Sequence, residues 1–186
     1  MLKEKHEEFY ILPTIITYSN LALGILAISF GNGSGLEDLK LGSYLLIIAA
    51  ITDKLDGYVA RRYNMTSEFG KQLDSLSDLI SFGMAPLVLF LNFGFKNIGL
   101  AGIIVAFLYI GCGVFRLARF NIEEDDMYIR GLPITISGLV IAIKLIIDIN
   151  FRVSKMGRIN LVYENISIMV LLSLLMISNY RVKKPF

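Results

Sequence analysis

Residues 41–62 read LGSYLLIIAAITDKLDGYVARR, and this stretch decides the fold. Its first part, Leu41–Thr52, is apolar but too short to cross a membrane alone, since a spanning helix needs about 20 apolar residues. The run continues directly into a charged segment that begins at Asp53. We therefore expect one helix that crosses a membrane and carries its charged end, from Asp53 onward, at the membrane boundary.

The rest of the chain has the same apolar character. Of its 186 residues, 55% are hydrophobic and 18% are charged, and the apolar residues form long runs. This composition is typical of a helical membrane protein. The formal net charge of +2 is too small to indicate a nucleic-acid partner. Cys112 is the single cysteine, which excludes an intrachain disulfide and disfavours a metal–thiolate site. His6, the single histidine, lies among charged residues and is interpreted as solvated.

We predict an all-α polytopic membrane protein with six spans in one domain, residues 1–186. The first apolar run is too long for a cleaved signal peptide and follows acidic residues, so we expect it to be retained. The predicted spans are Pro13–Phe30, Leu41 into the Asp53 region, about Leu73–Phe93, Ile98–Arg119, Leu132–Ile149 and Ile159–Asn179.

Three further segments have their own predictions. Residues Leu2–Leu12 mix charged and apolar side chains, which favours a short helix on the membrane surface. Gly31–Lys40 is polar and glycine-rich, and we expect a loop there. We also expect a solvated loop over Asn121–Arg130, because Glu123–Asp126 are four acidic residues in a row.

Lysine and arginine residues in the connections predict the orientation, because they concentrate on the cytoplasmic side of membrane proteins. The richer side holds Lys3, Lys5, Arg61, Arg62, Lys71, Arg119, Arg130, Arg181, Lys183 and Lys184. The other side holds Lys40, Lys96, Arg152, Lys155 and Arg158. Both termini are therefore expected in the cytoplasm, with the group around Arg152 as an exception to the rule.

Four aspartates are expected to converge where the second and third spans meet. At about 100° per residue, Asp53 and Asp56 share one helix face with Gly57 and Ala60. Asp74 and Asp78 share a face of the third span with Gly70. The two spans are antiparallel neighbours, joined by a connection that contains Arg61. All four carboxylates can therefore reach one depth near the cytoplasmic boundary.

Such a cluster predicts a divalent-cation site. Carboxylates in a poorly hydrated place repel one another unless cations bind. No histidine or thiolate lies nearby, and an all-oxygen site suits Mg²⁺, Mn²⁺ or Ca²⁺. Two ions held this way can neutralise a phosphoryl group and its leaving oxygen. The small residues Gly57, Ala60 and Gly70 would leave room for a nucleotide or diphosphate, and Arg61 would add positive charge.

Other interpretations of the carboxylates remain open at this point. Single aspartates at helix ends are commonly solvated or capping residues, and a non-catalytic membrane scaffold could carry them. A divalent-cation transporter would also need intramembrane carboxylates. Transport sites, however, usually lie near the bilayer midplane in broken helices. A cluster at one end of its helices favours chemistry at the membrane surface.

The same residues resemble the signature of the CDP-alcohol phosphotransferases. The match is Asp53-x-x-Asp56-Gly57-x-x-Ala60-Arg61, then Gly70-x-x-x-Asp74-x-x-x-Asp78. The resemblance implies two Mg²⁺ or Mn²⁺ ions on Asp53, Asp56, Asp74 and Asp78, with Asp78 as general base. It also implies a homodimer and a CDP-lipid site formed by Asp56, Gly57, Ala60, Arg61, Gly70, Asp74 and Asn20.

Neighbouring segments are similar to the membrane-bound phosphatidylserine synthases of bacteria and archaea. The similar segments are Leu73–Asp78, Ser81–Pro86, Arg116–Asn121, Gly131–Pro133, and Pro13 with Ile16, Thr17 and Asn20. Ser77 departs from the alanine usual before the fourth aspartate. The resemblance implies transfer of a phosphatidyl or archaetidyl group to L-serine, with release of CMP. An inositol phosphate or glycerol phosphate acceptor is the alternative within the family.

Serine is a zwitterion, and its carboxylate needs a cationic partner such as the bidentate fork of an arginine. The predicted acceptor site consists of Arg116, Arg119, Asn121 and Arg130. The alternative for Arg116 and Arg119 is that they extend toward lipid phosphates at the membrane surface.

Overall fold

Six continuous helical segments make up most of the described part of the chain. The computed structural model describes residues 11–33, 35–63, 67–94, 99–122, 128–152 and 158–183. The helices are α1 (Ile11–Gly31), α2 (Leu36–Arg62), α3 (Glu68–Asp78), α4 (Ala85–Phe93), α5 (Leu100–Ile122), α6 (Ile134–Ile147) and α7 (Arg158–Ile177). A π-helical segment, Leu79–Met84, joins α3 to α4 without a break, and a second, Asp148–Arg152, extends α6.

Four of these segments are long and apolar enough to cross a membrane. They are Pro13–Gly31, Glu68–Phe93, Leu100–Ile122 and Ile134–Arg152. Two of the six predicted spans do not meet this standard within the described residues. Helix α2 is charged at both ends, and the apolar part of α7, Leu161–Ile177, is shorter. The prediction of an all-α class is confirmed, and four of the six expected spans meet the length and hydropathy needed to cross a membrane. The described residues also contain one small β-ribbon.

Two helices begin earlier than the sequence predicts. Residues Leu36–Lys40, expected in a loop, form the first turns of α2. Glu37 and Asp38 lie in the first turn, where negative side chains favour the positive end of the helix dipole. Helix α3 begins at Glu68 because the side chain of Ser67 accepts a hydrogen bond from the Gly70 amide at 3.0 Å. This N-cap satisfies a donor that the helix leaves unpaired.

The predicted loop over Asn121–Arg130 is also wrong in part. Asn121 and Ile122 complete α5, and Tyr128–Arg130 form the strand β1. This strand pairs antiparallel with β2, Arg181–Lys183, which follows α7. The acidic run and most of the predicted surface helix lie outside the described residues.

The first π-helical segment packs closely against the helices on both sides of it. A Cβ atom on Gly24 of α1 would lie 2.8 Å from the Ser81 Cα atom, and one on Gly138 of α6 would lie 3.1 Å from the Phe82 Cα atom. Glycine at both positions therefore lets the backbones approach. The Tyr109 hydroxyl of α5 donates to the carbonyl of Phe82 at 2.9 Å. These contacts fix the backbone that follows Asp78.

An ion-pair network joins α6 to α7 at the end of α6 away from the aspartates. Asp148 is fully buried, and its two carboxylate oxygens accept from Lys144 Nζ at 2.7 Å each. Arg152 forms a two-pronged pair with Glu164, at 2.8 and 2.7 Å. Asn165 donates to Asp148 at 3.0 Å. The buried Asp148 carboxylate is therefore matched by cations and by the Asn165 amide, as stable burial of charge requires.

Candidate functional site

Three of the four predicted aspartates form one cluster. Asp53 lies toward the end of α2, and Asp74 and Asp78 lie one turn apart on α3. One carboxylate oxygen from each of the three lies within 4.8 Å of the other two. Asp78 is buried, and Asp53 and Asp74 are half-buried. The predicted convergence of the two antiparallel helices is therefore confirmed for these three side chains.

Asp56 lies beside this cluster rather than in it. Its charge interacts with those of Asp53 and Asp74, but its side chain is turned toward α1. The Thr17 hydroxyl of α1 donates a short hydrogen bond to Asp56 Oδ2. Asp56 Oδ1 is buried and has no hydrogen-bond partner among the described residues. The fourth carboxylate therefore keeps one oxygen available at the edge of the cluster.

Side chains from outside the motif also contact the cluster. Asn20 of α1 donates through Nδ2 to Asp78 Oδ1 at 3.4 Å, and the Thr135 hydroxyl of α6 donates to Asp53 Oδ2 at 3.1 Å. The Ser77 and Ser81 hydroxyls donate to backbone carbonyls of α1, at 3.2 and 3.0 Å. Helices α1 and α6 thus both contribute hydrogen bonds that hold α2 and α3 at the aspartates.

The donor set fits a divalent cation. All the clustered ligand atoms are carboxylate oxygens, which hard ions such as Mg²⁺ and Mn²⁺ prefer. Two buried side-chain oxygens at the site, Asp56 Oδ1 and Asn20 Oδ1, lack a partner among the described residues. Buried polar atoms are nearly always satisfied in native proteins, so such atoms indicate a missing ligand or water. The described residues can therefore hold a metal ion at this place.

The small residues of the motif leave space next to the aspartates. Among the described residues, a Cβ atom on Gly70 would meet only the Ser67 hydroxyl within 4 Å, at 3.1 Å. Gly57 and Ala60 lie half-buried on α2, and the side chain of Arg61 is outside the described part of the structure. The backbone at Gly70 therefore has few neighbours in the described structure, and binding of a nucleotide or diphosphate there stays a prediction.

Arg116 is the predicted acceptor residue that the structure places at the aspartates. It lies on α5, is only 7% exposed, and its charge interacts with those of Asp78 and Asp53. The guanidinium carbon lies 5.3 Å from the centre of the Phe120 ring. Lys71 Nζ lies 5.7 Å from the same ring centre. A buried cation thus adjoins the carboxylate expected to accept a proton.

The other predicted acceptor residues are bonded elsewhere. Arg119 lies three residues beyond Arg116 and hence about 60° around α5. Its guanidinium donates to carbonyls at the end of α7, including Ser178 O at 3.2 Å. The Asn121 side chain binds α3 by accepting from Ser75 Oγ and donating to Gln72 Oε1, both at 3.1 Å. Arg130 lies in β1, opposite Arg181.

Comparison with known proteins agrees with this geometry. The family model described as CDP-alcohol phosphatidyltransferase matches residues 10–179. The chain belongs to this family. A CDP-diacylglycerol–serine O-phosphatidyltransferase of Helicobacter pylori is 34% identical over 176 residues, covering 92% of this chain and 71% of the relative. A protein of the same name from Methanocaldococcus jannaschii is 36% identical over 169 residues, covering 91% and 72%. An archaetidylserine synthase of Methanothermobacter thermautotrophicus is 35% identical over 150 residues, covering 76% and 60%.

Two threonines that support the site have no signal of that role in the sequence. Thr17 belongs to a segment similar to the synthases, and its bond to Asp56 joins residues 39 positions apart. Thr135 lies outside the motif and the similar segments, and its bond to Asp53 joins residues 82 positions apart. Threonine on an apolar helix commonly bonds to its own backbone. The role of these two threonines is therefore evident only from the packing of the helices.

Proposed function

We propose that this chain transfers the phosphatidyl or archaetidyl group of a CDP-activated lipid to the hydroxyl of L-serine and releases CMP, in phospholipid biosynthesis. The observation that carries the proposal is the buried Arg116 beside Asp78 and Asp53. Relatives that match most of the chain are named for serine as acceptor. The proposed unit is one domain, residues 1–186.

The pairing of Arg116 with Asp78 suits a small amino-acid acceptor. In serine the hydroxyl and the carboxylate are close together, so the groups that bind them must be neighbours. A guanidinium can hold the carboxylate through two parallel hydrogen bonds. Asp78 would then accept the proton of the hydroxyl.

The proposed reaction is a single displacement at the lipid-proximal phosphorus. The serine oxygen forms a new bond to phosphorus as the bond to the CMP oxygen breaks. The hydroxyl proton passes to Asp78, and CMP leaves with the electron pair. Transfer of this kind depends mainly on positioning and on offsetting charge. Asn20 holds one oxygen of Asp78 and thereby directs the other.

The carboxylates of Asp53, Asp74 and Asp78, with the available oxygen of Asp56, would hold two Mg²⁺ or Mn²⁺ ions. When bound, the ions would offset the charge of the diphosphate and of the departing CMP. The proposed CDP-lipid site is made of residues along the motif and on α1. They are Asp56, Gly57, Ala60, Arg61, Gly70, Asp74 and Asn20. Asp78 has the additional role of general base.

The proposed setting is a cell membrane crossed six times, with both termini and the site in the cytoplasm. Support comes from the six helical segments and from the distribution of lysine and arginine. Arg152, the exception on the other side, is paired with Asp148 and Glu164. Large apolar side chains such as Phe107, which is 78% exposed, would face lipid or the second subunit of the proposed homodimer.

The function is tested with purified chain, a CDP-lipid, Mn²⁺ and a panel of acceptors. We expect CMP release and a new phospholipid with L-serine, and neither product with inositol phosphate or glycerol 3-phosphate. Asp53→Asn should abolish both products. Asp38→Asn is the matched control, because Asp38 is on the same helix but bonds to the Gly35 amide at the other end. Product with a different acceptor would reject serine, and no CMP with any acceptor would reject the enzyme.

A further inference from the structure

We infer that Thr135 is a positioning residue that orients the Asp53 carboxylate for metal binding, and that Arg119 and Gly131 hold Thr135 in place from the end of α7. The inference rests on the metal site in the proposed function. It assigns roles to one residue outside the motif and to an arginine that the sequence had linked to the acceptor.

The bond from Thr135 to Asp53 joins α6 to α2. The hydroxyl donates to Asp53 Oδ2 at 3.1 Å, since an ionised carboxylate can only accept. Asp53 is at the same time one of the three clustered carboxylates. A donor on one oxygen fixes the rotation of the carboxylate and presents its other oxygen to an ion. Partners of this kind typically change metal affinity about 10–100-fold when they are removed.

The start of α6 is held against α7 by backbone hydrogen bonds. The Gly131 amide donates to Tyr180 O at 2.9 Å, and the Leu132 amide donates to Leu175 O at 3.0 Å. Gly131 has φ +70, and a Cβ atom there would overlap the Met176 carbonyl. Only glycine accommodates both the backbone angle and this close approach. Thr135 follows four residues later, in the first turn of α6.

Arg119 completes the attachment from α5. Its NH2 group donates to Ser178 O at 3.2 Å and Met176 O at 3.5 Å, and its NH1 group donates to Asn179 Oδ1 at 3.4 Å. The last carbonyls of a helix have no partner in the helix, and a cation there also favours the helix dipole. The Arg119 guanidinium lies 3.0 Å from the position a Gly131 Cβ atom would take. We call Arg119, Gly131 and the carbonyls of residues 175–180 the α7 latch.

The latch and Thr135 form one connected path to the metal site. The latch sets the position of residues 131 and 132, Pro133 leads directly into α6, and Thr135 reaches Asp53. Loss of the latch should therefore weaken metal binding through Thr135. Arg119 makes no described hydrogen bond to the clustered aspartates or to Arg116. Its charge acts on that of Arg116 but not directly on those of the three clustered aspartates. Its effect on the site is expected to disappear once Thr135 can no longer donate.

The first experiment measures Mn²⁺ binding to the whole purified chain by electron paramagnetic resonance, without substrates. Thr135→Val keeps the shape of the side chain and removes the donor, and we expect about 10–100-fold weaker binding. Thr135→Ser restores the donor and should restore affinity. Thr52→Val is the matched control, because the Thr52 hydroxyl precedes Asp53 but donates to Ala49 O of its own helix at 2.8 Å. Binding by the control should equal that of the unaltered chain.

The second experiment tests whether Arg119 acts through Thr135. Arg119→Gln alone should weaken Mn²⁺ binding, and Arg119→Gln combined with Thr135→Val should bind as Thr135→Val does alone. Independent roles would instead give additive losses. Unaltered Mn²⁺ affinity in Thr135→Val, or no recovery in Thr135→Ser, would overturn the role of Thr135. Additive losses would overturn the role of the latch. Failure of the unaltered chain to bind Mn²⁺ would instead reject the proposed metal site itself.

Discussion

Gly24→Ala should separate α1 from the π-helical segment that follows Asp78. The added Cβ atom would lie 2.8 Å from Ser81 Cα and 2.9 Å from Ser81 Cβ. Ordinary carbon contacts begin at 3.4 Å, so the backbones must part by about 0.6 Å. Overpacking of this kind costs about 1–3 kcal/mol. The same movement lengthens the 3.0 Å bond from Ser81 Oγ to Asn20 O and so disturbs the side chain that holds Asp78.

The assay compares Gly24→Ala with Gly111→Ala in detergent. A Cβ atom on Gly111 would meet no described residue within 4 Å, so this variant is expected to gain the better helix propensity of alanine, about 1 kcal/mol. Both variants share that gain, and their difference isolates the overpacking. We expect the melting temperature of Gly24→Ala to lie about 2–12 °C below that of Gly111→Ala, at roughly 2–4 °C per kcal/mol.

Circular dichroism gives the two melting temperatures, and CMP release gives the activity at a temperature where both variants are folded. Gly24→Ala should be slower, because its α1 no longer holds the aspartates as closely. Gly111→Ala should retain the rate of the unaltered chain. Equal melting temperatures and equal rates in the two variants would refute the idea that the close approach of Gly24 to Ser81 builds the site.

Three further predictions concern individual charged side chains. Arg116→Gln should raise the serine KM and leave the CDP-lipid KM unchanged, whereas Arg119→Gln should leave the serine KM unchanged at saturating metal. Initial rates are measured against both substrates, and equal serine KM values in the two variants would contradict the assignment of Arg116 to the serine carboxylate. Asp78→Asn should lower turnover about 10²–10⁴-fold and lower CDP-lipid affinity by less, and loss of both in equal measure would argue against a general base. Asp148→Ala should cost about 1–3 kcal/mol, because it removes the acceptor of the buried Asn165 amide, whereas Lys144 keeps its ion pair with Glu164 at 3.2 Å. An unchanged melting temperature would refute this.

The aspartate cluster was predictable because its signal is local. The spacing of Asp74 and Asp78 places both on one helix face, and a short connection makes α2 and α3 antiparallel neighbours. The convergence with Asp53 follows from these facts. The all-α class follows from the long apolar runs, since each must satisfy its own backbone hydrogen bonds in a membrane. The ends of the membrane spans have no comparable local signal, because a charged helix such as α2 has no clear apolar boundary.

The spacing of residues along one helix does not predict which arginine faces the proposed acceptor site. Arg116 and Arg119 are both close in sequence to the expected cytoplasmic end of α5. A rotation of about 60° around the helix separates a side chain that faces Asp78 from one that faces the end of α7. Sequence alone could not choose between them, because the choice depends on which helices pack on each face. The bonds of Asn121 to Ser75 and Gln72 of α3 depend on the same packing.

Composition and motif spacing are therefore enough to identify a membrane-embedded member of the family with an all-oxygen acidic site. Those properties depend on composition and on spacing within single helices. The tertiary structure decided which side chains complete the site. Thr135 reaches Asp53 across 82 positions of sequence, and the end of α7 holds Gly131 in a conformation that suits only glycine. Contacts between distant segments form only when the helices pack, so no pattern within one segment encodes them.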